Sequence, residues 1–302
     1  MPNVRCSRFI ICRNYNCHLK YDKKCGKIIS PTTQKISVGI EKRIILKILA
    51  IGDVTSPKGV EHLKNSLWKA RRELGADFCI VNGENASFLT GISSDLAEEL
   101  LRAGADAITG GNHTMQNKQA YTYLEDTKEM IRPINFGDNA PGRGYSILDA
   151  NGYRILVMNA MGCVHIEPNL DAPYSFIDRA LSRESGNYDI AILDLHAEAT
   201  GEKYAVAMCY DGKFSAIFGT HTHVPTADEQ ILPGGTGYIT DVGMCGESGG
   251  ILGMDTECSI ERMRTQLPSK YKPACGTPVA NGVLFTIDEK SGKCTDVRRV
   301  TF

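Results

Sequence analysis

Two histidines stand one residue apart in the segment GTHTHVPTAD, residues 219–228. The short run 215–218 precedes this segment and predicts a strand that ends where the histidines begin. On an extended segment, His221 and His223 would point to the same side with Thr222 opposite, which suits two adjacent metal positions. The alternative is a surface turn that holds two imidazoles, and this motif alone leaves both interpretations open.

Other polar side chains stand at the predicted ends of other strands: Asp53, Glu84 with Asn85, Asn112 with His113, and His196. In open α/β sheets the carboxyl ends of strands meet at one edge, where ligand sites form. Five separate segments would therefore direct metal-type donors to one place. Singly, Asp53 could be a turn or cap residue, Glu84 and Asn85 a solvated turn, and His196 a core histidine.

The tetrapeptide GGNH at residues 110–113 is more specific. Two glycines allow the backbone to approach a ligand closely, and the asparagine and the histidine are then presented together. This pattern favours a functional interpretation over a simple turn.

The charge of this candidate site is consistent with a two-metal centre. Two divalent cations would meet two carboxylates, Asp53 and Glu84, with three neutral histidines and two neutral asparagines. A residual charge of about +2 would remain for a phosphate and a bridging hydroxide, as two-metal hydrolysis of a phosphoester requires. The mixed nitrogen and oxygen ligands suit manganese, iron or zinc better than magnesium or calcium.

The elements that must position these residues alternate from residue 44 onward. Apolar runs predict strands at 44–51, 77–81, 106–109, 153–159, 188–195, 215–218 and 237–240. Apolar spacing and capping residues predict helices over 58–74 and 93–104. The last 21 residues, 282–302, predict a hairpin that turns at 290–293. This order indicates a largely parallel α/β sheet with more antiparallel structure toward the C-terminus.

Composition excludes several classes of protein. The chain has 302 residues, 42% of them hydrophobic and 23% charged, as in ordinary globular proteins. Its eleven cysteines include no Cys-x-x-Cys pair, so neither a disulfide framework nor a zinc ribbon is expected. No apolar stretch is long enough for a membrane helix, and no secretory signal is evident. We therefore expect a cytoplasmic protein with no membrane partner.

Residues 1–43 differ from the rest of the chain. They contain ten Lys and Arg against only Asp22 and Glu41, a charge of +8, while the whole chain carries −1. They show no helical or strand period, and we expect a disordered extension, with residues 44–302 as the folded domain. A targeting leader, a basic partner-binding arm and sequence upstream of the true start all remain open. The acidic remainder argues against broad nucleic-acid binding by the main domain.

The chain resembles the calcineurin-like metallophosphoesterases, and within them the bacterial YmdB-like branch. The resemblance rests on GD at 52–53, NGEN at 82–85, GNHT at 111–114, HAEAT at 196–200, GTHTHV at 219–224, YITDVGM at 238–244 and GILGMD at 250–255. Most of the superfamily has a histidine where this chain has Thr55, and a bridging aspartate where it has Glu84. Both departures are features of the YmdB-like branch.

This resemblance implies a four-layer α/β/β/α metallophosphoesterase sandwich with two divalent metal ions, iron or manganese being the best candidates and zinc a further option. It assigns Asp53, Glu84, Asn85 and His223 to one metal, and Glu84, Asn112, His196 and His221 to the other. His113 would be the general acid that protonates the departing sugar oxygen while a metal-bridging hydroxide attacks phosphorus. Backbone amides near Gly110 and Gly111 would help to hold phosphate oxygens.

Three functions follow from this resemblance and from the site. The first is a phosphodiesterase that hydrolyses cyclic nucleotides of the 2′,3′ class, with RNA ends as further substrates and a homo-oligomer as one form of assembly. The second is a phosphomonoesterase or nucleotidase that uses the same centre. The third is a non-catalytic regulator that binds a nucleotide or RNA, with residues 1–43 as a contact surface.

Overall fold

A computed structural model describes residues 45–88, 90–268 and 270–302. The strands are β1 Ile45–Ile51, β2 Asp53–Val54, β3 Phe78–Asn82, β4 Ala107–Thr109, β5 Tyr145–Ala150, β6 Tyr153–Met161, β7 Ile190–His196, β8 Ala216–Thr220, β9 Gln230–Ile231, β10 Gly237–Ile239, β11 Met244–Glu247, β12 Pro278–Asp288 and β13 Cys294–Thr301. The α-helices are α1 Pro57–Leu74, α2 Ser94–Ala103, α3 Tyr121–Asp126, α4 Tyr174–Arg183, α5 Thr200–Cys209 and α6 Thr256–Thr265. Every predicted strand and helix is present, with small shifts at the ends.

The first sheet has seven strands, in the order β2-β11-β12-β1-β3-β4, with β13 beside β12. β1, β3 and β4 are parallel, and Leu49 of β1 pairs with Cys79 of β3. β12 runs antiparallel to β1, where Leu284 lies opposite Leu49, and β13 runs antiparallel to β12. The prediction of parallel strands first and antiparallel strands toward the C-terminus is confirmed for this sheet.

The second sheet has six strands, in the order β5-β6-β7-β8-β10-β9. The central strands β6, β7, β8 and β10 are parallel, and the edge strands β5 and β9 are antiparallel to their neighbours. All seven residues of β7 are buried, including Asp194 and His196. A parallel strand between two parallel neighbours is covered on both faces, which explains its near-continuous apolar sequence.

Helix α1 shows how local sequence sets the ends of an element. The Ser56 side chain accepts a hydrogen bond from the Gly59 amide at 3.4 Å, which caps the first turn. Gly75 ends the helix with φ of 67°, a left-handed conformation that glycine adopts without steric cost. Leu63 and Leu67 are fully buried against the first sheet. The predicted amphipathic helix is therefore present.

Three groups of buried apolar side chains define the layers. The group between the two sheets includes Ile48 of β1 and Ile155 of β6. A second group packs α1 and α2 on the first sheet and includes Leu63. A third packs α4 and α5 on the second sheet and includes Ile177 and Val206. Helices thus cover the outer face of each sheet, and the predicted four-layer α/β/β/α sandwich is confirmed.

Two predictions from composition concern residues 1–43 and the lack of a membrane-spanning helix. The predicted disordered extension, residues 1–43, lies outside the described residues and stays a prediction. Within the described ranges, none of the helices combines the length and the apolar content that crossing a bilayer requires.

Candidate metal centre

The predicted site residues come together where the carboxyl ends of strands from both sheets meet. They follow or end β1, β3, β4, β7 and β8: Asp53, Glu84, Asn85, Asn112, His113, His196, His221 and His223. Asp53, Glu84 and His196 are at most 1% exposed. Both sheets therefore contribute donors to one place, as the positions of these residues at strand ends predict.

Three donor atoms from different segments lie around the ring nitrogen Nε2 of His196. Asn112 Oδ1 lies 3.0 Å away, His221 Nδ1 lies 3.1 Å away and Glu84 Oε1 lies 3.8 Å away. Carboxylate, amide oxygen and imidazole are the ligand types that suit first-row transition metals. These four side chains match the set that the resemblance assigns to one ion.

The tautomers of two histidines follow from their other partners. Thr220 donates its hydroxyl proton to Asp194, so it accepts a hydrogen bond from His196 Nδ1 at 3.0 Å. Glu198 accepts from His221 Nε2 at 3.2 Å. In their neutral forms, His196 and His221 therefore point bare nitrogen lone pairs at each other and at the Asn112 oxygen. A cation between these acceptors would relieve their mutual repulsion.

Asp53 leads the second group of donors. Its Oδ2 accepts a hydrogen bond from the His221 amide at 3.0 Å, whereas its Oδ1 is buried without a hydrogen-bond partner. That unpartnered oxygen lies 3.8 Å from His223 Nε2 and 3.7 Å from His196 Nδ1. A buried carboxylate oxygen with no donor costs free energy unless a cation compensates it. The donor set therefore fits a metal ion here.

His223 is held in a matching orientation. Its Nδ1 lies 2.9 Å from the Leu252 carbonyl oxygen, which can only accept a hydrogen bond, so the ring proton is on Nδ1. The Nε2 lone pair is then directed to the Asp53 side. In the described part of the chain, no three His, Cys, Asp or Glu side chains enclose a single point tightly. The site is an open set of donors rather than a closed cage.

The GTHTH segment reaches the site by a different backbone from the extended one that we expected. β8 ends at Thr220, and His221 and His223 then adopt positive φ values of 98° and 65°. Such conformations are uncommon outside glycine and cost of order 1–3 kcal/mol each, so the surroundings must hold them. The extended geometry is therefore wrong, although both imidazoles still reach the donor groups.

Asn85 connects a predicted metal ligand to the predicted proton donor. Its Nδ2 lies 3.3 Å from His223 Nε2, and its Oδ1 lies 2.8 Å from His113 Nδ1. A half-turn of the amide exchanges the oxygen and the nitrogen without moving any other atom. In that orientation Oδ1 would face the His223 side, as the predicted ligand role requires, and Nδ2 would donate to His113.

Burial shifts the pKa of four groups in the site, two carboxylates and two histidines, toward their neutral forms. Desolvation raises the pKa of Asp53 to about 6, with His223 opposing this effect, and raises the pKa of Glu84 well above its usual range. It lowers the pKa of His221 to about 4 and that of His196 well below its usual range. The histidines are thus neutral and able to bind metal at neutral pH, while the carboxylates need a positive partner.

Burial also lowers the pKa of His113, and the nearby His223 lowers it further. The His113 side chain is 24% exposed, which makes it more accessible than the buried carboxylates. Its backbone amide donates to Glu84 Oε1, so this turn also orients a predicted bridging ligand.

The position of Gly111 leaves no room for a side chain. A Cβ atom at this position would lie 2.2 Å from Cδ2 of His196, far inside van der Waals contact. The backbone at Gly111 thus approaches the His196 side chain closely, and its close approach to a bound ligand stays a prediction. The amides of Gly110 and Gly111 themselves already have partners, since Gly110 donates to Asn159 Oδ1 at 3.1 Å and Gly111 to Thr114 Oγ1 at 2.8 Å, and a phosphate contact by amides near them stays a prediction.

The sequence did not reveal the buried polar residues that bind the segments carrying the predicted metal ligands. Asp241 is fully buried, accepts from the Thr222 amide at 3.1 Å and pairs with the buried Lys203 at 2.7 Å. Asp194, also fully buried, accepts from Thr220 at 2.7 Å. An acid inside the apolar run of β7 was a usable signal for Asp194, but nothing local marks Lys203 as buried.

A cavity of about 670 Å³ opens beside the donor groups. His113, His221 and His223 form one side of it. Much of the remaining lining comes from Ile251, Leu252, Met254, Tyr271 and residues of helix α6. The cavity is large enough for a small phosphoester.

The fold and the site can be compared with known proteins. The family model described as YmdB-like protein matches residues 49–300. The chain belongs to the YmdB-like family. The predicted resemblance is thus confirmed, and the metallophosphoesterase type of this family implies divalent metal ions.

Individual YmdB-like and related proteins agree with this assignment. The chain is 40% identical over 255 residues to the 2′,3′-cyclic-nucleotide 2′-phosphodiesterase of Bacillus subtilis, covering 84% of this chain and 96% of that protein. The crystal structure of a novel phosphatase from Mycoplasma pneumoniae superposes with a TM-score of 0.79 and 33% identity, covering 85% of this chain and 93% of the other. The NAD nucleotidase of Haemophilus influenzae shares the fold, with a TM-score of 0.52 and 13% identity, over 86% of this chain and 56% of its own.

Proposed function

We propose that this YmdB-like protein is a phosphodiesterase that hydrolyses cyclic nucleotides of the 2′,3′ class at a dinuclear metal centre. The observation that carries the proposal is the buried, unpartnered Oδ1 of Asp53 beside the rings of His196 and His223. Family membership makes the chain a phosphoesterase, and the Bacillus subtilis relative supports the cyclic nucleotide as substrate.

The seven donors divide into two groups that share one carboxylate. Asp53, Asn85 and His223 would hold one ion, and Asn112, His196 and His221 would hold the other, with Glu84 between them. Iron or manganese suits this mixture of oxygen and nitrogen best, and zinc is a third option. Two divalent ions bound there would supply the nucleophile and neutralise charge on the phosphate.

His113 would deliver the proton that the departing oxygen needs. Asn85 contacts its Nδ1, which leaves Nε2 for the substrate. A histidine acts as a general acid in its imidazolium form, in which both ring nitrogens carry a proton. The Nε2 proton would pass to the leaving sugar oxygen, and neutral imidazole would remain. Burial lowers the pKa of His113, which makes this imidazolium a stronger acid.

A phosphomonoesterase or nucleotidase activity is the second candidate, because the Mycoplasma pneumoniae relative is described as a phosphatase. Both reactions use the same donors. Turnover of 2′,3′-cyclic AMP, AMP and an aryl phosphate monoester by the purified protein separates them. Preference for the cyclic diester supports the first function, and preference for AMP supports the second.

The decisive experiment measures metal content and turnover together in two variants. His113→Ala should keep the metal content of the wild type and lose about 10²–10⁴-fold in turnover, the usual contribution of a general acid. Asp53→Ala should lose both metal and activity. His62→Ala serves as the control. His62 lies on α1, is not one of the predicted site residues, and its ring contacts the Phe302 carbonyl. Full activity in His113→Ala would remove the proposed proton donor.

The third candidate, a non-catalytic nucleotide or RNA regulator, predicts tight binding without metal-stimulated turnover. RNA chains with a 2′,3′-cyclic phosphate end, a homo-oligomer, a cytoplasmic location and a separate role for residues 1–43 remain proposals. Turnover of such an RNA by the full chain and by a chain without residues 1–43 tests both the substrate and the basic arm.

A further inference from the structure

Part of the cavity lining outside the predicted metal ligands consists of apolar side chains, an arginine and a tyrosine. We call it the α6 wall and define it by Leu252, Met254, Arg262, Met263 and Tyr271, all of which line the cavity. The predicted metal ligands and His113 account for the phosphate end of a substrate. The side chains of the α6 wall line the same cavity, and none of them is assigned to the phosphate.

Arg262 and Tyr271 are stacked on each other. The guanidinium carbon of Arg262 lies 4.6 Å from the centre of the Tyr271 ring. Within the described ranges Arg262 forms no ion pair with a carboxylate, so its charge remains available to a ligand. A planar guanidinium on an aromatic ring is a surface on which a nucleobase stacks in single-stranded nucleic-acid recognition.

Apolar side chains extend this surface into the solvent. Met263 is 65% exposed and Leu252 is 44% exposed, although both are large hydrophobic residues. Neighbouring exposed apolar groups beside a polar centre are typical of a ligand site that covers them when it is filled. A sugar phosphate alone offers no apolar face, whereas a nucleobase does.

The α6 wall is anchored to the metal centre. The Leu252 carbonyl accepts the hydrogen bond from His223, so the first residue of the wall directly orients a predicted metal ligand. Met254 pairs with Ile251 and with Pro273 in short bridges, and Asp255 caps helix α6 by accepting from Cys258 at 3.0 Å. The distance between the metal centre and the stacking surface is therefore set by the fold.

We infer that Tyr271 and Arg262 form a nucleobase subsite, on which the base of the substrate stacks while its phosphate lies at the metal centre. This inference rests on the proposed function and gives it a substrate preference. The enzyme recognises cyclic phosphodiesters that carry a base over those that do not. Stacking tolerates any base, so the preference is for a nucleoside rather than for one particular base.

The test compares two five-membered cyclic phosphodiesters, 2′,3′-cyclic AMP with its base and glycerol 1,2-cyclic phosphate without one. Tyr271→Ala should lower kcat/KM for 2′,3′-cyclic AMP by roughly 5- to 150-fold, the range expected for one stacked base. It should leave kcat/KM for glycerol 1,2-cyclic phosphate unchanged. Tyr271→Phe should behave like the wild type because it keeps the ring.

Arg262→Ala should show a smaller loss, again only on the substrate with a base. Arg264→Ala changes an exposed arginine of the same helix that does not line the cavity, and should change neither rate. The inference is wrong if Tyr271→Ala lowers both rates equally, or if the wild type treats both substrates alike. If the wild type hydrolyses neither, the proposed function fails as well, so the two failures are distinguishable.

Discussion

The two sides of the cavity are built in opposite ways. Behind the metal side, Asp53 and His196 are 0% exposed, and hydrogen bonds to other segments orient them. On the α6 wall, Leu252 and Met263 are 44% and 65% exposed. Reacting groups need fixed positions, because misplacement by about 1 Å can lower the rate about 100-fold. A stacking surface tolerates more freedom, so it can be assembled from exposed side chains.

The metal side also contains the strained backbone of the two histidines, whereas Arg262 and Met263 of the α6 wall lie on a regular helix with a capped end. The two sides meet at Leu252, whose carbonyl accepts a hydrogen bond from His223 and whose own φ is 53°. The comparison therefore predicts that substitutions on the metal side change metal content and turnover, whereas those on the α6 wall change substrate binding.

The largest effect is expected where backbone and ligand are in contact. Gly111→Ala would place its Cβ 2.2 Å from the His196 ring, which must move. We expect turnover to fall by at least about 100-fold and the metal content of the purified protein to decrease. Gly201→Ala is the matched control, since nothing lies within 4 Å of its Cβ. Wild-type metal content in Gly111→Ala would show that the site tolerates movement.

A smaller effect, on stability, is expected behind the ligands. Lys203→Met leaves the buried carboxylate of Asp241 without its cation, and loss of one partner of a buried pair costs about 3–5 kcal/mol. Urea unfolding measures this change in the free energy of unfolding. Lys64→Met breaks the exposed pair with Glu99 at 3.2 Å and should cost less than about 1 kcal/mol. Equal losses of unfolding free energy in the two variants would contradict the expected difference between a buried and an exposed ion pair.

The smallest effect is expected on the α6 wall. Met263→Ser removes an exposed apolar contact without altering the core, so the free energy of unfolding should change by at most about 0.5 kcal/mol. KM for 2′,3′-cyclic AMP should rise a few-fold while kcat stays the same, because the contact serves binding only. A fall in kcat with unchanged KM would place Met263 in the chemistry rather than in recognition.

Much of the fold could be predicted because its signals are local. The apolar run of β1 and the period of α1 mark these elements without reference to the rest of the chain. Helices α3, α4, α5 and α6 were not predicted. In α6 only Cys258 and Ser259 are buried, so it lacks the apolar stripe that marks a helix in sequence, although Asp255 is a good cap.

The sequence by itself determined which residue types stand at the ends of the strands, and hence the candidate ligands from Asp53 to His223. Only the tertiary structure decided how they are held. The His221 amide binds a carboxylate oxygen of Asp53, 168 residues away, and Lys203 is buried against Asp241. Local patterns report on neighbours along the chain, whereas left-handed turns, tautomers and buried ion pairs depend on contacts between distant segments.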